Sequence, residues 1–222
     1  MSDVDEAPEA VRGEARWPMA AAVLVALLMT LIRPRALEIV PRGFLPVVLL
    51  VLLGVLIARD PGRIDRRSRG LRVVSMVVVG LLALDAIVAT GHLIAVLIEG
   101  GKTTSSAGTL LAAGGIVWVS NVIVFSLLYW ELDTGGAAAR AHKPARHPDF
   151  AFPQQLSPEI APPGWRPQFV DYLYLGVTCS TAFSPTDVMP LTPWAKLTMA
   201  CQSMISLVVV GLVIARAINV LN

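Results

Sequence analysis

The chain has 222 residues, 55% of them hydrophobic and only 15% charged, with a mean hydropathy of +0.67 and a formal net charge of +2. So few charges cannot cover the surface of a soluble domain of this size, and the small net charge argues against a nucleic-acid partner. The apolar residues come in long runs with the arginines between them, the distribution of an integral membrane protein: an all-α polytopic helical bundle whose partner is the lipid bilayer.

Residues 1–16 set Asp3, Asp5, Glu6, Glu9 and Glu14 against Arg12 and Arg16. A secretory signal wants a basic start, so this stretch reads as a short disordered N-terminal tail on the cytoplasmic side. Four transmembrane helices are expected within residues 17–131. The first runs from Trp17 to Ile32, opening on an interfacial tryptophan and a helix-starting proline; the second runs from Phe44 to Ala58. The next loop carries six arginines (Arg59, Arg63, Arg66, Arg67, Arg69 and Arg72), a strong cytoplasmic signal. The third span, Val73 to Ile98, exceeds the roughly 20 residues that crossing requires and is free to tilt. A loop with the single Lys102 reads as outside, and the fourth span, from Gly108, ends on the interfacial pair Tyr129-Trp130. Residues 132–167 form a Pro/Gly-rich connector with Arg140, His142, Lys143, Arg146 and His147, expected to lie on the cytoplasmic membrane face.

The last block, residues 168–222, begins with a short apolar segment, breaks at Ser184–Pro190, and resumes at Pro193-Trp194 as a long helix. The short segment from Phe169 to Phe183 spans only about 22 Å as a helix and carries Asp171, Thr178, Ser180 and Thr181. Either it re-enters, giving five spans plus a pore-loop-like helix, or it crosses, giving six.

Two groups of residues are candidates for function. Asp85 and His92 lie seven residues apart in the third span, on one helical face. An ionisable residue inside a membrane marks either a proton or cation path, or a protonated carboxyl bonded to a neighbouring helix, with Ser120 and Asn121 as partners. The run Thr178, Ser180, Thr181, Phe183, Ser184, Thr186 and Asp187 offers hydroxyls and freed carbonyls that can replace water around a small ion. Its alternative is a plain helical hairpin broken by Pro185 and Pro190 and capped by Asp187. Gln202, Ser203 and Ser206 on the last helix line or contact such a pathway; for Ser203 and Ser206, three apart on one face, the alternative is small-residue helix packing. Cys179 and Cys201 read as small apolar residues, and the three histidines have no partners at metal-ligand spacing. No cofactor or metal is expected. With no nucleophile–base pair or phosphate loop, no enzyme is expected either.

The order of short helix, Thr178, Thr181, Asp187, Pro190, Thr192, Trp194, Lys196 and long helix resembles the pore helix, filter and inner helix of potassium channels. That resemblance implies a homo-oligomer, four copies around a small ion. The Gly-Tyr-Gly of the filter is replaced by Phe183–Thr186 with a proline inside, so potassium selectivity does not carry over. A second resemblance covers residues 20–222 and rests on Tyr129-Trp130-Glu131-Leu132-Asp133, Gly135-Gly136, Asp149-Phe150, Phe152-Pro153 and Asp171–Leu175. It is similar to the bacterial membrane family called domain of unknown function 1345. This implies a multi-pass protein of the bacterial plasma membrane, with the N-terminus cytoplasmic, and brings no activity. The expected function is a channel-like pore; the alternatives are a proton-coupled secondary transporter using Asp85 and His92, and a non-transporting membrane scaffold subunit.

Overall fold

The computed structural model describes residues 13–34, 41, 43–64, 68–99, 106–142, 147–181 and 187–221. The fold is all-α: α1 (Trp17–Ile32), α2 (Phe44–Arg59), α3 (Arg69–Glu99), α4 (Ala107–Leu132), α5 (Ala137–His142), α6 (Pro153–Leu156), α7 (Phe169–Thr181) and α8 (Pro193–Leu221). The exceptions are two two-residue strands, β1 (Phe150–Ala151) and β2 (Met189–Pro190), paired antiparallel. Three helices (α3, α4 and α8) are long and apolar enough to cross a membrane. α1 and α2 are apolar but have 16 residues each, about 24 Å of helix.

Local chemistry sets the helix limits. Pro18 and Pro193 stand in the first turns of α1 and α8, where no amide hydrogen is needed. α1 and α2 stop just before Pro34 and Pro61, whose rings exclude helical geometry from the preceding residue. α4 ends in a single helical turn at Asp133–Gly135, where Thr134, Gly135 and Gly136 take φ of 56°, 81° and 92°. Two consecutive glycines make this reversal cheap, and only Thr134 is strained by it.

α4 is the axis of the bundle, in contact with α1, α3, α7 and α8, and every residue from Asn121 to Leu127 is buried. Its C-terminal end defines a cap end of the molecule. Ser75 on α3 donates to Glu131 on α4 (2.6 Å), Arg16 before α1 pairs with Asp60 after α2 (2.7 Å), and Trp130 donates to Glu14 (2.8 Å). The start of α1, end of α2, start of α3 and end of α4 therefore share one end. Residues 13–16, in the stretch expected to be a loose tail, are built into it: Ala15 bridges Arg63, and Ile64 N–H donates to Glu14 O at 2.9 Å.

α7 and α8 both set out from the cap end. α7 begins where Phe169 N–H meets Glu14 and Tyr172 meets Asp133; α8 begins where Trp194 Nε1 donates to Asp149 at 2.8 Å. The two run side by side in the same direction, since Ser206 of α8 bonds the Ser180 carbonyl of α7 about 17 Å further on. The chain is back at the cap by Met189, which pairs with Ala151. α7 thus goes in, the chain doubles back, and α8 leaves again.

Candidate functional site

The inward arm is zipped to its neighbours by polar groups. Gln202, 1% exposed, donates to Gly176 O (2.8 Å) and Ser180 Oγ (2.7 Å), and accepts from the Tyr129 hydroxyl at 2.5 Å. Ser203 donates to Cys179 O (3.1 Å) and Ser206 to Ser180 O (2.5 Å), while Trp118 Nε1 donates to Ser206 at 2.8 Å. Two carbonyls of the last turn of α7, those of Cys179 and Ser180, thus receive donors from α8. α7 also lies very close to α4 at Gly176, where a Cβ would stand 2.1 Å from Ser126 Oγ and 3.1 Å from the Val122 carbonyl.

The residues expected to form a filter are only partly gathered. Thr178 and Thr181 turn their hydroxyls back onto Leu175 O and Thr178 O within α7, and Thr181 is exposed. Asp187 is exposed next to the cap, six residues before α8, so it does not cap that helix. Phe183, Ser184 and Thr186 lie outside the described residues. Ser180, Gln202 and Ser206 are buried between α7 and α8, and Ser203 is half-buried beside them.

Asp85 does not turn to Ser120 or Asn121. Its carboxylate accepts from Arg33 at 2.6 Å and from Thr30 at 3.3 Å, both on or just after α1. Ser120 bonds its own helix at Ile116 O, and Asn121 donates to Thr90 at 2.9 Å. The expected partners are displaced because α1 reaches the same depth as the middle of α3 and supplies a full positive charge there. His92 is half-buried, with Nδ1 unbonded among the described residues.

The densest polar chemistry lies under the connector. Asp133, 1% exposed, accepts from the Tyr172 hydroxyl, from Asp149 N–H (3.0 Å) and from Thr134 Oγ1 (2.9 Å). Asp149 in turn accepts from Thr134 N–H and from Trp194. Phe150, fully buried, packs edge-on against Tyr129, Tyr172 and Trp194, joining α4, α7 and α8. Arg140 is buried; its Nη1 donates to the Trp130 and Asp133 carbonyls at 2.7 Å each, and its guanidinium stands 5.0 Å from the Tyr172 ring centre. Glu14 accepts from Trp130 Nε1 and Phe169 N–H and lies 4.0 Å from Arg140 Nη2. Burial pushes the Glu14 carboxyl above its ordinary range, against the opposing pull of those hydrogen bonds and of the Arg140 charge. Beside this pair opens a cavity of about 860 Å³, walled by Arg63, Arg140, Arg166, Trp165 and the prolines before α7.

Comparisons with protein-family models, with curated proteins and with solved structures found no match. The residues of the cap were missed in the sequence because Arg140 reads there as one of a basic cluster and Glu14 as one of several tail acids. The one available signal was Asp133 followed by two glycines, which marks an abrupt helix end with a carboxylate at it.

Proposed function

We propose that the chain is a multi-pass protein of the bacterial plasma membrane with the architecture of a pore-loop channel: α1, α2, α3, α4 and α8 span, and α7 is a re-entrant helix. The observation that carries this reading is the shared departure of α7 and α8 from the cap end, with the chain doubling back between them. That is the path of a pore helix, a returning loop and an inner helix. Broad apolar faces, such as Leu197, Met204, Leu207, Ile214 and Ile218 on α8, fit lipid or further copies of the chain. The arginine-rich loop and the basic connector share the cap end, so the positive-inside rule puts the cap in the cytoplasm and the C-terminus outside. The loop then enters from the cytoplasm, in a homo-oligomer of four copies around a small ion. Thr181 and Asp187, both exposed, are the pathway residues; Gln202, Ser203 and Ser206 hold the arm in place.

The Arg33–Asp85 pair removes the free carboxylate that a proton-coupled carrier needs. A second reading, a non-transporting membrane subunit, is favoured by the cap, where the polar chemistry concentrates away from the arm. Reconstitution of the purified chain in planar bilayers separates the two. A cation conductance that falls in Asp187→Asn and Thr181→Val supports the pore; a silent bilayer across ions, pH and voltage overturns it. Labelling single cysteines at positions 63 and 222 tests the topology, since both reacting from the same side would sink the five-span arrangement.

A further inference from the structure

The cap cavity has a feature that the packing of the protein leaves unexplained. Arg140 is 7% exposed, yet its Nε and Nη2 have no hydrogen-bond partner among the described residues. Buried guanidinium donors are normally all satisfied, because water is no longer there to do so. Glu14 does not satisfy them. It stands 4.0 Å from Nη2, and its two oxygens are already taken by Trp130 Nε1 and Phe169 N–H. Nε and Nη2 lie on one edge of the guanidinium, the paired donors that grip two oxygens of a single carboxylate or phosphate.

We infer that the cavity beside Arg140 is a binding site for a phosphate ester, with the phosphate held by the Nε/Nη2 edge of Arg140, an edge closed to water in this structure that must turn toward the cavity to grip it. The charge balance of the wall favours phosphate over carboxylate. Arg63, Arg140 and Arg166 face one glutamate, an excess that suits a dianion. Arg63 and Arg166 are held in the wall by bonds to Gly13 O (3.0 Å) and Ala141 O (2.7 Å). At about 860 Å³ the cavity far exceeds a bare phosphate and falls in the size range of organic-ligand sites. Trp165 and the adjoining prolines supply an apolar wall for the organic part.

The site adjoins the root of the arm. Arg140 stacks on Tyr172, and Glu14 holds the first amide of α7. Occupancy therefore braces the start of α7 and acts as a regulatory ligand on the arm. The phosphate ester has two sources, a soluble metabolite or the headgroup of an anionic lipid. The site does not require the pore reading; a silent bilayer would overturn conduction and leave the binding measurements below unaffected.

The test uses the full chain in phosphatidylcholine nanodiscs, with glycerol 3-phosphate, inorganic phosphate and glycerol as probes. A parallel set of nanodiscs contains phosphatidic acid. Binding is read as a rise in melting temperature together with slowed hydrogen exchange over residues 163–172. Response to glycerol 3-phosphate assigns the site to a soluble ester; response to phosphatidic acid alone assigns it to a lipid headgroup. In either case Arg140→Lys, which keeps the charge and loses the fork, weakens binding about tenfold. The double variant Arg63→Gln/Arg166→Gln leaves Arg140 in place and weakens binding as well, which keeps the test decisive if Arg140→Lys does not fold. The proposal is overturned if neither ester source responds, if inorganic phosphate binds as tightly as the ester, or if the double variant binds as the parent does.

Discussion

The cap end and the far end of the bundle solve the same packing problem with different materials. At the cap, aromatic rings and buried polar groups from six segments interlock, with Phe150 touching three rings and Asp133 collecting three donors. At the far end the contact of α3, α4 and α8 is aliphatic: Ala89, Leu93, Leu97, Leu110, Ala113, Val117, Val209 and Val213. In lipid, aliphatic contact gains little from the hydrophobic effect, because acyl chains are as apolar as leucine. Directional bonds and close backbone approach must then define the fold, and they concentrate at the cap and along the arm.

If that contrast is right, the largest loss comes from cutting the cap. Phe150→Ala should lower stability by about 3–5 kcal/mol, read as thermal unfolding in detergent, because the cavity opens among three rings that cannot all close in. Gly176→Ala comes next, at about 2–3 kcal/mol, since its new methyl meets the Val122 backbone carbonyl as well as Ser126. Its far-end counterpart, Gly114→Ala, should cost about 1 kcal/mol, because the three atoms nearest the new methyl all belong to the side chain of Val213, and Gly114→Ala/Val213→Ala should recover part of the loss. Equal effects of the two glycine variants would erase the distinction between the ends.

The smallest effect is in the pH dependence. Burial raises the Glu14 carboxyl above its ordinary value of 4.5 in the folded state, so the folded protein holds that proton more tightly than the unfolded chain. Its contribution is fully present below 4.5 and is lost as pH rises through the folded value. Melting temperatures measured upward from that pH should fall less steeply in Glu14→Gln than in the parent, and identical slopes would remove Glu14 from the titration.

The helix limits were legible because apolar runs and prolines act locally: Arg33-Pro34, Asp60-Pro61 and Pro193 mark them without reference to anything distant. The path of α7 was legible only as one of two alternatives. The parallel course of α7 and α8 rests on the pairing of Ala151 with Met189 and of Asp149 with Trp194, contacts about 40 residues apart that no spacing announces. The same limit hid the cap. A basic residue such as Arg140 has one meaning as a loop charge and another when Trp130 and Tyr172 enclose it, and enclosure is a property of the fold. Asp85 shows the converse: its isolation in an apolar run was plain, but its partner Arg33 lies 52 positions away, just past the end of α1.

The bond from Phe169 N–H to Glu14 joins positions 155 apart. During synthesis the segment before α1 emerges first, yet one of its anchors does not exist until α7 has been made. α1 to α4 can pair while Glu14 still lacks that anchor, so closure of the cap belongs late in folding. Contacts of such long sequence separation form slowly, and until this one does the buried guanidinium of Arg140 is open to water. Truncated chains ending before Phe169 should therefore keep the contacts of Gly13–Arg16 with residues 60–64 and still lose that segment to protease faster than the full chain does, a signature of assembly order written into a single carboxylate.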